Sequence, residues 1–185
     1  GGDCLNTGCV PSKALIRSAG VSHLFARAES FGIKAETPEV NFPAVMQRVR
    51  QVINKIAPHD SVERYTKLGV ECIQGEAKII SPYTVEVAGR QINTRNIVLA
   101  TGARPIVPPI PGLDVIDYVT SDTVWKLDSL PNRFLVVGGG PIGCELAQSF
   151  ARFGSEVTLV DALTLPLPRE DEEVSEYLLG NFQQE

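Results

Sequence analysis

The sequence has few cysteines, no block of like charge and no long hydrophobic run, and each absence excludes a class of function. Its longest apolar stretches, residues 97–100 and 134–137, are far shorter than the ~20 residues of a membrane-spanning helix. Seventeen basic and 22 acidic residues are spread along the chain and give a net charge of −5, which does not support a nucleic-acid or anionic-membrane partner. The four cysteines are too few and scattered for a secreted disulfide framework. No secretory leader is visible. We therefore expect a cytoplasmic globular protein.

The pattern of apolar residues predicts an α/β chain. Two main helices come first, then a run of short strands and a Pro-rich segment, and finally a βαβ unit followed by a helix. The predicted helices cover residues 9–29, 42–56, 60–67, 141–153 and 170–184, and the predicted strands cover 70–73, 77–80, 84–87, 92–100, 134–137 and 157–160. At 185 residues the chain is long enough for one domain and part of a second.

Cys4 and Cys9 are the only cysteines close to each other in the sequence. Cys9 falls at a predicted helix N-terminus, where the helix dipole and free N–H groups favour a thiolate, and Lys13 adds a positive charge one turn later. Gly8 frees the backbone to bring the two sulfurs within bonding range. This pattern favours a reversible disulfide. A zinc half-site and two inert cysteines stay open as alternatives, although Cys72 and Cys144 are isolated and add no ligand spacing.

A glycine-rich turn follows the strand at 134–137. Residues 138–143 have the pattern G-x-G-x-x-G between an apolar strand and a helix, as a dinucleotide pyrophosphate site requires. Asp161 ends the next strand 21 residues after Gly140, where a carboxylate can bind the adenosine ribose and disfavour the 2′-phosphate of NADP. We therefore favour NAD over NADP, although Arg169 is a nearby cation. A plain packing turn of a βαβ unit is the alternative.

Two further segments are less specific. Thr101 and Gly102 follow a predicted strand and indicate a turn that passes close to another group. His59 and Asp60 are adjacent on a predicted loop, where a turn and a helix cap are a commoner role than a catalytic pair.

Residues 1–13, with the sequence GGDCLNTGCVPSK, resemble the active-site motif of the class I pyridine nucleotide-disulfide oxidoreductases. That family includes dihydrolipoamide dehydrogenase, glutathione reductase and mercuric reductase. The ending Ser12-Lys13 is more similar to the dihydrolipoamide dehydrogenase and mercuric reductase branches. The family usually has threonine where this chain has Asp3. The resemblance covers essentially the whole chain, with the motifs in the family's order.

The resemblance implies a three-layer, Rossmann-like FAD/NAD(P)-binding fold with a β-meander. It divides the chain into part of an FAD-binding domain (1–115), a connector (116–130) and the first half of an NAD(P)-binding domain (131–185). It also implies that the chain is truncated at both ends and lacks a first flavin-binding unit and a dimerisation domain. We therefore expect the fragment alone to carry no stoichiometric FAD and to be inactive, and the intact enzyme to be a homodimer.

The resemblance also assigns roles to single residues. Cys9 would lie next to the flavin as the charge-transfer thiolate, Cys4 would be the thiol that attacks substrate, and Lys13 would lie near the flavin and pair with Glu145. The cofactor-binding residues would be Gly2, Asp3, Gly8, Lys13, Gly75, Ala77, Thr101 and Gly102 for FAD, and Gly138, Gly140, Ile142, Gly143 and Asp161 for the nucleotide. No metal site is expected.

The implied activity passes electrons between nicotinamide, FAD and the Cys4–Cys9 pair to a small or protein-bound dithiol/disulfide substrate, as in dihydrolipoamide dehydrogenase. A mercuric reductase-type enzyme, which reduces a metal ion, is an alternative. A non-catalytic nucleotide-binding or interaction fragment is the alternative from another class.

Overall fold

A computed structural model describes residues 2–36 and 38–185. Gly1, the first residue of the cysteine motif, lies outside the described residues. The helices are α1 (Asp3–Asn6), α2 (Cys9–Ala26), α3 (Phe42–Ile56), α4 (Val62–Lys67), α5 (Pro141–Phe153) and α6 (Glu172–Gln184). The strands are β1 (Ala77–Ser81), β2 (Thr84–Val87), β3 (Arg90–Asn93), β4 (Arg133–Val137) and β5 (Glu156–Val160). Within these residues no helix is long and apolar enough to cross a bilayer. The predicted α/β class is confirmed.

Two separate sheets form among the described residues. Strands β1, β2 and β3 make an antiparallel meander in sequence order, with Ala77 opposite Val87 and Val87 opposite Arg90. Strands β4 and β5 pair in parallel, and helix α5 connects them. The second sheet is the predicted βαβ unit, and its glycine-rich turn lies where β4 ends and α5 begins.

Helices α3 and α5 have the bounds that the sequence predicts, because local residues set their ends. The Asn41 side chain accepts a hydrogen bond from Ala44 N at 3.0 Å and caps α3. Pro141 starts α5 at the position where its missing N–H is not needed. Gly154 ends α5 in the left-handed conformation, with φ of 109°.

The buried core joins α2, α3 and α5. Phe150 is fully buried, and its ring centroid lies 5.7 Å from that of Phe42 on α3 and 4.4 Å from that of Phe134 on β4. Ala14 and Leu15 of α2 belong to the same cluster. This core places the N-terminus of α2, which carries Cys9 and Lys13, beside α5 and the glycine-rich turn.

Two predicted strands are wrong, and three helix ends shift. Residues 70–73 form no strand, and β3 ends at Asn93 rather than continuing to residue 100. The last hydrogen bond of this pairing runs from Thr94 N to Tyr83 O at 2.8 Å, and the chain then leaves the meander. Val98 and Leu99 are then 87% and 69% exposed, since a strand needs a neighbouring strand and the described residues supply none there. Helix α2 ends three residues early, before a 3₁₀ turn at Ala28–Phe31, and α4 and α6 each start two residues late.

Candidate active site

The two cysteines lie on a tight loop, residues 2–9, which we call the redox loop. Cys4 is in α1, Cys9 is the first residue of α2, and both are exposed free thiols. Thr7 N and Gly8 N both donate to Asp3 O, at 2.9 and 2.7 Å, and this turns the chain back on itself. A Cβ on Gly8 would lie 3.1 Å from Asp3 O and 3.2 Å from Cys4 Cα, closer than ordinary packing allows. Glycine therefore permits the approach of Cys4 to Cys9.

The surroundings of Cys4 increase the proton affinity of its thiol. The pKa of the Cys4 thiol is raised above its ordinary value, first because its side chain hydrogen-bonds to Cys9. Partial desolvation and the negative charges of Cys9 and Asp60 act in the same direction, while a hydrogen bond from the backbone of Cys9 opposes them. The Cys4 thiol therefore keeps its proton to a higher pH than an isolated cysteine.

Lys13 and Glu145 join α2 to α5 across 132 residues of sequence. Lys13 Nζ donates to Glu145 Oε1 at 2.6 Å, and the side chains are 59% and 37% exposed. An ion pair this exposed contributes little to stability. Its main effect is to fix a lysine cation one turn beyond Cys9. The pairing expected from the resemblance is present, and its catalytic role stays a prediction.

A polar cavity of about 620 Å³ lies beside the redox loop. Asp3 Oδ2 accepts a hydrogen bond from Ala103 N at 2.7 Å, which draws the segment 101–104 against α1. Gly102 has a φ of +74°, and a Cβ there would collide with the Asp3 carboxylate. The residues that line the cavity are Gly2, Asp3, Asn6, Thr7, Thr101, Gly102, Ala103, Arg104 and Asp122. Four of the residues predicted to contact FAD therefore surround one space that adjoins the cysteines.

The glycine-rich turn, residues 138–143, brings the end of β4 close to the start of α5. Gly138 has a φ of +112°, and its N–H donates to Val160 O at 2.8 Å. A Cβ on Gly143 would collide with Gly138 O, so the start of α5 lies tightly against the turn. Gly140 caps α5 without a side-chain bond, and Ile142 is exposed in the first turn. The N–H groups of that first turn have no acceptor within the helix and are available to an anion.

Asp161 is held at the end of β5 by backbone N–H groups. Gly139 N donates to its Oδ2 at 2.5 Å and Leu163 N to its Oδ1 at 2.8 Å. These bonds lower the pKa of the Asp161 carboxyl, the one from Gly139 most, against a small opposing desolvation. The carboxylate borders a second cavity of about 700 Å³ and keeps a lone pair on each oxygen for a further donor. The carboxylate is therefore ionised at neutral pH, and its contact with a ribose hydroxyl stays a prediction.

Gly75 lies two residues before β1, and Ala77 is the first residue of β1. A Cβ on Gly75 would lie 3.1 Å from Val87 Cγ2, and Ala77 is paired with Val87 in the sheet. Within the described part of the chain, neither forms a hydrogen bond to the redox loop.

Three residues of this region were not predicted. Ala103 and Gly139 act through backbone N–H groups, to Asp3 and Asp161. Trp125 Nε1 donates to Thr7 O at 3.0 Å, inside the redox loop. Backbone donors carry no side-chain signal, and a contact across 118 residues has no spacing to reveal it.

No group of three or more His, Cys, Asp and Glu side chains in residues 2–36 and 38–185 could hold a metal ion. Cys144 is buried in α5, where its thiol donates to Gly139 O at 3.3 Å, and Cys72 is exposed. His59 and Asp60 lie in a 3₁₀ turn just before Ser61, which caps α4.

Comparison with known proteins gives consistent results. A mercuric reductase of Bacillus cereus is 39% identical over 176 residues, which make up 95% of this chain and 28% of that protein. A dihydrolipoyl dehydrogenase of Chlamydia pneumoniae is 36% identical over 187 residues, 98% of this chain and 40% of that protein. The Cu(II) complex of the HOCl-induced flavoprotein disulfide reductase RclA from Escherichia coli superposes with a TM-score of 0.75 at 31% identity. It matches 100% of this chain and 39% of that one.

The chain thus spans well under half the length of these relatives. The family model for pyridine nucleotide-disulphide oxidoreductases matches residues 1–185 of this chain. Together with the cysteine loop and the glycine-rich turn, this match confirms the resemblance: the chain belongs to the pyridine nucleotide-disulphide oxidoreductase family.

Proposed function

We propose that the chain is part of a flavin-dependent NAD(P)H:disulfide oxidoreductase in which Cys4 and Cys9 form the redox-active pair. The observation that carries the proposal is the loop itself, in which two exposed free thiols flank a turn so tight that a Cβ on Gly8 would lie 3.2 Å from Cys4 Cα. The position of Cys9 at the start of the 18-residue helix α2 supports it, because that helix favours a negative sulfur at its N-terminus.

The two cysteines divide the exchange with substrate. The Cys4 thiol gives up its proton as its sulfur attacks one sulfur of the substrate disulfide, and the other substrate sulfur leaves as a thiolate that takes up a proton. The Cys9 thiolate then attacks the Cys4 sulfur of the mixed disulfide. The Cys4–Cys9 disulfide forms, and the second substrate thiol is released. Two electrons pass from the cysteine pair to the substrate, and the reverse sequence oxidises a dithiol.

The family's cofactors fit the described residues. FAD, when bound, supplies two-electron chemistry between a nicotinamide and the cysteine pair. For its binding, the chain offers the cavity beside the redox loop, where Arg104 adds a cation. For the nucleotide, it offers the N-terminus of α5 after the glycine-rich turn. We accordingly assign residues 1–115 to an FAD-binding domain, 116–130 to a connector and 131–185 to an NAD(P)-binding domain.

The nucleotide is NAD rather than NADP in this proposal. The ionised Asp161 carboxylate at the edge of the 700 Å³ cavity supports the choice, because it accepts from a ribose hydroxyl and repels a 2′-phosphate.

The substrate in this proposal is a dithiol/disulfide, as in dihydrolipoyl dehydrogenase. A metal-ion substrate is the second candidate, favoured by the mercuric reductases among the relatives and by two exposed thiols that could bind a soft metal. In the full-length enzyme loaded with FAD, NADH oxidation should be measured with lipoamide, oxidised glutathione or Hg(II) as acceptor.

Turnover with a disulfide acceptor, but not with Hg(II), is the expected result, and Cys4→Ser should remove it. Cys72→Ser is the matched control, since Cys72 is another exposed free thiol outside the loop. If Hg(II) supports turnover and the disulfides do not, the substrate is a metal ion, as in the second candidate. Full disulfide turnover in Cys4→Ser would overturn the role of the pair.

A further inference from the structure

A tryptophan of the connector is hydrogen-bonded to the redox loop. Trp125 lies in a 3₁₀ turn, Val124–Lys126, and is the single tryptophan of the sequence. Its indole Nε1 donates to Thr7 O at 3.0 Å and to Ser121 O at 2.7 Å, as a bifurcated bond. Thr7 lies between Cys4 and Cys9, so a residue outside the cysteine motif contacts the peptide between the two thiols.

The donor itself is held in place. Thr120 N donates to Thr123 Oγ1 at 2.8 Å, and Val124 N donates to Thr120 O at 2.9 Å, which fixes the turn before Trp125. Val124 is 2% exposed, and the Trp125 ring packs against the core formed by α2, α3 and α5. The indole N–H therefore has a fixed direction toward the loop.

Both backbone polar groups of Thr7 are hydrogen-bonded. Its N–H donates to Asp3 O at 2.9 Å, and its carbonyl accepts from Trp125. A loop that is already ordered loses less conformational freedom when its ends are joined. The bond from Trp125 should therefore lower the cost of closing the Cys4–Cys9 disulfide.

We propose that Trp125 is a positioning residue, which through its bond to the Thr7 carbonyl holds the redox loop in the geometry that favours the Cys4–Cys9 disulfide. The inference rests on the proposed function, since it requires that Cys4 and Cys9 form a disulfide. The bond also links the connector before β4 to the site of disulfide exchange.

The test is the disulfide equilibrium of the full-length enzyme in defined dithiothreitol buffers, followed by thiol trapping and mass analysis of the peptide that contains Cys4 and Cys9. Trp125→Phe keeps an aromatic ring but removes the donor. Losing one neutral hydrogen bond should reduce the equilibrium constant for disulfide formation about five-fold, which raises the midpoint potential by about 20 mV.

Leu127→Ala is the matched control, because Leu127 packs against the same core from the same connector and has no hydrogen bond to the redox loop. The midpoint potential of the Cys4–Cys9 disulfide in this variant should equal that of the wild-type enzyme. An unchanged potential in Trp125→Phe would overturn the inference, and so would an equal shift in both variants, which would indicate general loosening.

The two proposals fail in different ways. If the wild-type enzyme forms no Cys4–Cys9 disulfide in any buffer, the proposed function fails. If it forms one and Trp125→Phe does not change its potential, only the role of Trp125 fails. Should Trp125→Phe not fold, wild-type enzyme labelled with ¹⁵N-tryptophan decides the question. The Trp125 indole N–H signal should then shift with the same midpoint as the thiols, and a constant signal would contradict the inference.

Discussion

Single residues of the redox loop and of the first turn of α2 have different roles. Gly8 provides space, since a Cβ would press on Asp3 O and on Cys4 Cα. Cys9 raises the pKa of the Cys4 thiol by hydrogen bonding to it. Lys13 places a cation one turn further along α2 and is held by Glu145 at 2.6 Å. Spacing alone indicates the pair and the glycine, because these tasks depend on neighbours in sequence.

The Asp161 carboxylate predicts which nicotinamide coenzyme the enzyme prefers. In the full-length enzyme kcat/KM should be roughly 10- to 100-fold higher for NADH than for NADPH, because the carboxylate binds the ribose and repels a 2′-phosphate, a difference of about 1–3 kcal/mol. Asp161→Asn removes the charge and keeps one of the two acceptor oxygens that Gly139 N and Leu163 N use, so it should reduce that ratio about ten-fold.

Glu170→Gln removes a nearby exposed carboxylate and serves as the control. It should leave the ratio unchanged. A wild-type enzyme that used NADPH as well as NADH would show that Arg169, which precedes Glu170, outweighs Asp161.

For helices and strands, the success of a sequence-based prediction depends on the sequence distance between the residues that fix the element. The bounds of α3 and α5 follow from local caps at Asn41, Pro141 and Gly154. The strand predicted at 92–100 depended on pairing with a distant segment, and apolar alternation alone cannot supply that partner. In the same way, the contacts of the redox loop with Ala103 and Trp125 span 100 and 118 residues. The motif was therefore predictable, and the groups that hold it were not.

The bond from Ala103 to Asp3 gives a prediction for two elements, α1 and the segment 101–104. Asp3→Ala removes the acceptor and should lower the free energy of unfolding by about 1 kcal/mol, since the carboxylate is exposed and partly screened. Asp3→Asn keeps an acceptor oxygen and should recover most of the loss. Urea denaturation of the full-length enzyme measures both.

Asp114→Ala is the control, because Asp114 is an exposed aspartate in the 3₁₀ turn Leu113–Val115. It should not change the urea concentration at the midpoint of unfolding. If Asp3→Ala is as stable as the wild-type enzyme, the contact with Ala103 does not hold the segment against α1.

At the scale of the whole molecule, a single core crosses the domain boundary that the sequence suggests. Leu15 of α2, Phe42 of α3 and Phe150 of α5 belong to one buried cluster. The Lys13–Glu145 pair crosses the same boundary, and the Trp125–Thr7 bond joins the connector to the redox loop. The redox loop and the start of α2 are therefore held by contacts from later parts of the chain.

We propose that Cys4 and Cys9 form the redox pair, with Cys9 next to the flavin and Cys4 facing the substrate. Long-wavelength absorbance of the FAD-loaded, full-length enzyme after two-electron reduction tests this most directly, because only a thiolate adjacent to the flavin gives a charge-transfer band. Cys4→Ser should keep the band and lose disulfide reduction, while Cys9→Ser should lose the band. A band that survives in Cys9→Ser, or full disulfide reduction by both variants, would contradict the account.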